Sequence, residues 1–272
     1  MKVTNLLRRF GQNSAVCAGT AILAGSMMFC GPANADVNYF EDFESATLNT
    51  GTGDTPVRYT NTVAGWTVDN SNMGGTATAL EYQGGNVLNL ADWVAEAGQG
   101  RNGSIAGGPA DPSSLAGDQA LVFDPDQWDD TQTGGSSTGY NSSWSTDFDF
   151  TGEDLSTIAI GYAYEMYTYP TMRMLTDVSF DGGTTFQTLL DIDSDDFGNS
   201  TFFGGVVSFA EGTDFNATST NMTLRFSMLD GGNDWWGAVD NVTVSSIPEP
   251  ASAGVVGLGL LGLVARRRKK NN

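Results

Sequence analysis

Ile158-Ala-Ile-Gly-Tyr-Ala-Tyr-Glu-Met166 decides the fold class, because its large apolar and aromatic side chains fall on every second position. Side chains of an extended strand point alternately to the two faces of a sheet, so this stretch predicts a strand with one buried face. Met222-Thr-Leu-Arg-Phe-Ser-Met228 repeats the period, with Met222, Leu224, Phe226 and Met228 on one side. Working outward, further strands are predicted at 37–43, 66–68, 77–82, 86–93, 119–123, 144–150, 172–180, 185–190, 202–209 and 235–244. Clusters of Gly, Asn, Asp and Ser separate them, and Asp181-Gly182-Gly183-Thr184 reads as a hairpin turn, since glycine supplies the positive φ that tight turns need. No helical period of useful length lies between the two ends of the chain. The expectation is an all-β, antiparallel, two-sheet jelly-roll β-sandwich. Its long connections, 94–117 and 125–143, are where such folds carry function.

The charges divide the chain into three. Of 272 residues, 32 are acidic, 12 are Lys or Arg, and none is His. Eight of the basic residues lie at the ends, which leaves 36–247 with four arginines (Arg58, Arg101, Arg173 and Arg225) against 31 acids, a formal charge of −27. That stretch contains no Lys and no Cys, because Cys17 and Cys30 precede it. Nucleophilic cysteine, imidazole acid–base chemistry, lysine Schiff bases and His/Cys metal sites are thereby excluded. Nucleic acid is not an expected partner either, since a phosphate backbone needs a basic face. What is left is carboxylate, hydroxyl and aromatic chemistry.

Both ends read as addresses. Residues 1–35 combine a basic start (Lys2, Arg8, Arg9), an apolar stretch from about Ala15 to Phe29, and Ala33-Asn34-Ala35 before the first acid, Asp36. That is the pattern of a secretory signal peptide. At the other end, Pro248-Glu249-Pro250 precedes an apolar run from Ala253 to Ala265 and then Arg266, Arg267, Arg268, Lys269 and Lys270. As a helix this run of about 13 residues spans roughly 20 Å, less than the ~30 Å of a hydrocarbon core. It suits a transient hold in the inner membrane, basic end inward, better than a permanent anchor. The order of the three parts resembles the PEP-CTERM sorting signal of bacterial exosortase substrates. The resemblance implies a short C-terminal transmembrane sorting helix, exosortase as processing partner, a cut near Pro248-Glu249-Pro250, and delivery to the cell surface or extracellular matrix. Three segments are expected: signal peptide 1–35, acidic β-sandwich 36–246, and sorting signal 247–272.

Tyr39-Phe40-Glu41-Asp42-Phe43-Glu44, Gly65-Trp66, and the late stretch from Asn233 to Val242 resemble the first and last strands of galactose-binding-like, carbohydrate-binding-module and MAM-type jelly rolls. This resemblance implies that the terminal strands are neighbours and that Glu41, Asp42 or Glu44 shares a structural calcium with Asp240. Calcium also fits on chemical grounds, as a hard ion taking oxygen ligands and offsetting a large negative charge. Two other acidic clusters qualify, Asp124/Asp126/Asp129/Asp130 and Asp191/Asp193/Asp195/Asp196. The second lacks the glycine and closing Glu of an EF-hand loop.

Flat aromatic rings stack on pyranose faces, and all six tryptophans lie between the two ends. Trp93, Trp128, Trp144 and the Tyr162/Tyr164/Tyr167/Tyr169 series are candidates. Trp128, set in an acidic loop, is the expected exposed platform. The leading expectation is a non-catalytic protein that associates with extracellular polysaccharide. The alternatives are a polysaccharide hydrolase using paired carboxylates, and a surface adhesion or display protein with a protein partner.

Overall fold

A computed structural model describes residues 36–50, 58–73, 84–95, 115, 117–125, 128, 139–168, 171–193, 202–232 and 236–248. All of them belong to a compact unit running from Asn34. The predicted signal peptide, the strand at 77–82, most of both long loops, and the sorting helix at 253–265 lie outside the described residues. Among the described residues no helix is long and apolar enough to cross a membrane.

Among the described residues twelve strands form two antiparallel sheets. The first runs β10 (Phe202–Ala210), β7 (Glu153–Tyr167), β12 (Trp236–Pro248), β5 (Gln119–Phe123), β4 (Gly85–Asn89), β2 (Tyr59–Thr60), with β1 (Asp36–Glu41) also on β12. The second runs β3 (Trp66–Asp69), β6 (Tyr140–Asp149), β11 (Asn221–Gly231), β8 (Arg173–Ser179), β9 (Gln187–Asp193). From β5 onward the pairing is nested: β8 with β9, β7 with β10, β6 with β11, β5 with β12.

The alternation read from sequence is the packing. Ile158, Ile160, Tyr162 and Met166 from β7 and Met222, Leu224, Phe226 and Met228 from β11 lie buried in one cluster between the sheets. Tyr162 meets Phe226 edge-on at 5.0 Å, and its hydroxyl shares a 2.6 Å hydrogen bond with Thr176. Burial pushes that phenol's pKa far up, which keeps it neutral. Trp144 crosses between the sheets, its indole N–H donating to the Gly85 carbonyl at 2.8 Å. A Cβ on Gly85 would come within 2.8 Å of that ring, so the closure requires glycine. The hairpin after β8 also forms as expected, with Gly182 and Gly183 at φ 69° and 81°.

Three elements depart from the expected pattern. The run 86–93 is not one strand. After β4, Asn89 accepts the Asp92 N–H at 2.9 Å and caps a short helix, α1 (Leu90–Ala95). Strand β2 was not anticipated, and the last strand continues to Pro248, two residues beyond the expected domain edge at 246. In addition, β12 carries a bulge where Asn241 sits at φ 53°. One edge of β12 pairs with β5 over Gly237–Val239 and with β1 from Val242 onward, so the bulge marks the hand-over between partners.

Candidate functional site

The outer face of the second sheet is the open polar surface of the described fold. Strand register places Thr67, Ser145, Arg225, Asp177 and Thr188 in one row across β3, β6, β11, β8 and β9. The alternation that builds the core turns this row outward, although Asp177 is buried on that side, its two oxygens accepting from Thr188 and Arg225. A groove of about 390 Å³ lies on this face, lined by Asp69, Asn72, Asn141, Ser143 and Arg225 among others. Arg225 organises it. Its Nη2 donates to Asp177 Oδ2 at 2.9 Å, and its guanidinium carbon lies 3.6 Å from the Phe186 ring centroid. Its Nε–H is buried and meets no acceptor among the described residues. Asp69 is held below the usual carboxylate pKa by the Ser71 hydroxyl and N–H, with Arg225 adding to the effect. The groove therefore offers fixed donors and acceptors of both signs, a suitable lining for a polyhydroxyl ligand.

A larger cavity of about 580 Å³ sits at the end of the same sheet, beside Asp147, Asp149 and Asp181. Thr223 donates to Asp147 at 2.6 Å, Thr151 to Asp149 at 2.6 Å, and Thr185 to Asp181 at 2.6 Å. Its carboxylates already serve as turn and cross-strand acceptors.

The residues singled out for calcium have structural work of the same kind. Glu41 Oε1 accepts the Phe43 N–H at 2.8 Å, and Asp42 Oδ1 accepts the Glu44 N–H at 3.2 Å. Together they bend the chain at Phe43, whose φ is 58° and whose ring is buried beside Trp66. Glu44 Oε1 accepts the N–H groups of Asp118 and Gln119 at 2.6 and 2.9 Å, fixing the entry to β5. Asp240 is fully buried, with one oxygen accepting the Asn241 backbone N–H and the other its side-chain amide, at 2.7 and 3.0 Å. It builds the bulge in β12. The terminal strands are neighbours as the resemblance implies, Glu41 lying opposite Val242. Among the described residues no group of three or more Asp, Glu, His or Cys is placed to hold a metal ion. Asp191 and Asp193 instead pair with Arg173, whose pKa the Asp191 hydrogen bond raises. Asp126, Asp129, Asp130, Asp195 and Asp196 lie outside the described residues.

Trp128 is a correction. It is fully buried and meets Tyr140 edge-on at 6.0 Å, so it is core and not an exposed platform. Trp93 and Trp144 are equally buried. The Trp93 indole donates to Asp124 Oδ2 at 2.6 Å. Burying an indole whose N–H has a partner is favourable whatever the charge of the sequence around it. Sequence reasoning missed Arg225, although its place between Leu224 and Phe226 already marked it as outward-facing.

The last strand leads into the other functional feature. β12 ends at Pro248, and residues 246–269 match the family model described as the PEP-CTERM protein-sorting motif. The chain carries a PEP-CTERM sorting end. This PEP-CTERM segment begins inside the folded sheet, with Ser246 and Ile247 still in strand pairing. Glu249, Pro250 and the basic Arg266, Arg267 and Arg268 lie outside the described residues. No curated protein matches the chain in sequence. Among solved structures it is similar to TmCBM61 in complex with β-1,4-galactotriose, at 12% identity over 68% of this chain and 90% of that one, TM-score 0.38. It is also similar to the K2 cleaved adhesin domain of Lys-gingipain, at 11% identity over 76% and 96%, TM-score 0.41. A third is the Stig cyclase Fisc from Fischerella sp. TAU, at 12% identity over 76% and 93%, TM-score 0.39.

Proposed function

We propose that this is an exported, exosortase-processed protein of the cell surface or extracellular matrix, non-catalytic, that associates with extracellular polysaccharide through the open face of its second sheet. The observation that carries the reading is the PEP-CTERM motif at 246–269 running directly out of β12. The nested strand pairing supports a jelly roll, a fold that presents one broad sheet face for recognition. Asp69, Ser143 and Arg225 in the groove supply sugar-hydroxyl partners, and the lack of His, Cys and Lys from 36 to 247 speaks against common catalytic chemistries.

The test is a binding assay of residues 36–248 against neutral and acidic polysaccharides, run in calcium and in chelator. Arg225→Ala is expected to weaken retention at least about tenfold, as loss of a charged hydrogen-bonding group does. Ser219→Ala, away from the groove, is expected to leave it unchanged. Equal retention of both variants removes the groove from the reading. Release of reducing ends instead of retention favours the hydrolase. A difference between calcium and chelator supports a bound calcium ion.

A further inference from the structure

Among the described residues β1, β2, β3, β9 and β10 each pair with one strand only and so stand at a sheet edge. Unpaired backbone at an edge invites another strand, and proteins commonly guard it with charge. β1 carries Asp36 and Glu41, β3 ends at Asp69, and β9 carries Asp191 and Asp193 beside Arg173. β2 is two residues long, and Asn49 bridges its outer side. β10 has nine residues and no charge, and none falls between Asp196 and Glu211.

Hydrogen bonds at the end of β10 show which of its groups face out. The Glu211 N–H donates to the Ile158 carbonyl of β7 at 3.0 Å, whereas the Ala210 N–H turns away and donates to Asp214 Oδ2 at 2.9 Å. Antiparallel pairing alternates, so Gly204, Val206 and Ser208 also turn their N–H and C=O groups from β7 toward the open edge. Val207 packs against the core between the sheets and Phe209 is buried in it, so the side chains of Val206 and Ser208 stand on the outer face. Val206, at the middle of the strand, is 70% exposed, more than any other large apolar side chain among the described residues.

We infer that β10 is a self-association edge: two copies of the chain pair their β10 strands antiparallel about a two-fold axis at Val206 and join their first sheets into one. With Val206 opposite the partner's Val206, Gly204 stands opposite the partner's Ser208 and the reverse, an isologous contact. The outward N–H and C=O groups of the two strands satisfy one another, and the two valines cover each other as a β-branched cross-strand pair. Charge selects the occupant. Each copy carries a formal −27 over 36–247, so contacts that set carboxylates face to face are unfavourable. Among the described edges β10 alone offers a long strand that avoids this. A bare strand edge is a small contact, below the area of a permanent interface, so the pair is reversible. Residues opposite each other in an antiparallel pair point to the same side of a sheet, so the two open polar faces look the same way. On the reading of that face given above, one polysaccharide chain then meets two grooves.

The test is sedimentation of the full chain, as recovered from its host, over a range of concentration and salt. A concentration-dependent dimer is expected, its share growing between about 0.1 and 1 M salt as the screening length falls from roughly 10 to 3 Å. Ser208→Pro removes an outward N–H and leaves the β7 ladder whole. Two hydrogen bonds are lost by symmetry, so the dissociation constant is expected to rise at least about tenfold while the unfolding midpoint stays in place. Should that variant fail to fold, Val206→Asp sets two carboxylates opposite each other and is expected to give the same loss, whereas Val206→Thr keeps the pair. A wild-type chain that stays monomeric at every salt overturns the inference, and so does a dimer that both Ser208→Pro and Val206→Asp leave intact. A dimer sensitive to both variants supports it even where polysaccharide is not retained, so the two readings fall separately.

Discussion

The two sheets share one core but differ on their outer faces. In the second sheet β6 alternates buried and half-exposed residues, and its far side is the polar row around Arg225. In the first sheet β4 is buried throughout, because its far side is roofed. Leu90 and Trp93 of α1 pack there with Leu88, Val122, Ala163, Trp236 and Ala238 as a second apolar cluster. Trp93 meets Trp236 edge-on at 5.0 Å. The roof covers only part of the first sheet, since Phe40 on β1 and Val206 on β10 stay exposed, whereas the second sheet carries the polar row to which the proposal assigns recognition. The contrast is broken most directly at the tryptophans. Trp236→Ala on the roofed face is expected to cost about 3 to 5 kcal/mol in urea unfolding, as much as Trp144→Ala between the sheets. A cost below about 1 kcal/mol for Trp236→Ala means that the roof is an appendage and the two sheets are alike.

The roof was partly legible. Gln119-Ala-Leu-Val-Phe123 is a continuous apolar run, not an alternating one, and such runs belong to strands buried on both faces. What hid it was α1, six residues long and too short to show a helical period. The core faces of β7 and β11 were fully legible, because period two admits one reading once one face is apolar. The site was less so. A carboxylate near the chain's end reads equally as a metal ligand or as an acceptor for backbone N–H, and the second use, at Phe43 and Asn241, becomes visible only in the folded chain. Acidic neighbours in sequence likewise say nothing about which way the Trp128 ring turns.

A second difference lies in how the sheets end. The β8–β9 hairpin at the edge of the second sheet has an exposed tip, residues 181–185, and is held by Asp181. Thr185 donates to it from both hydroxyl and backbone, and Ser179 from its hydroxyl, lowering the carboxyl pKa from 3.8 to about 2. A group whose folded pKa is depressed contributes stability that is complete above its unfolded pKa and lost as pH falls through the folded one. The hairpin is therefore expected to hold above about pH 4 and loosen toward pH 2. NMR titration of the carboxyl carbons checks this. An Asp181 midpoint near 4 would mean that the turn is held by its glycines alone, and the two sheet ends would differ less than the geometry implies.

The smallest effect is the sharpest probe of the comparison, because it separates neighbours in the chain. Ser143 and Ser145 flank Trp144 on β6 and face outward while the indole faces in. Neither serine side chain fills space in the core, so Ser143→Ala and Ser145→Ala are each expected to change stability by no more than about 0.5 kcal/mol. Ser143 lines the groove, and Ser145 stands opposite Arg225 in the register. If the open face is the recognition surface, these substitutions weaken polysaccharide retention while the unfolding midpoint stays in place. A loss of more than about 1 kcal/mol from either change would mean that the second sheet's outer face is packed after all. Its polar row would then be part of the fold's support, and the contrast between the two sheets would dissolve at the residue where it is drawn most finely.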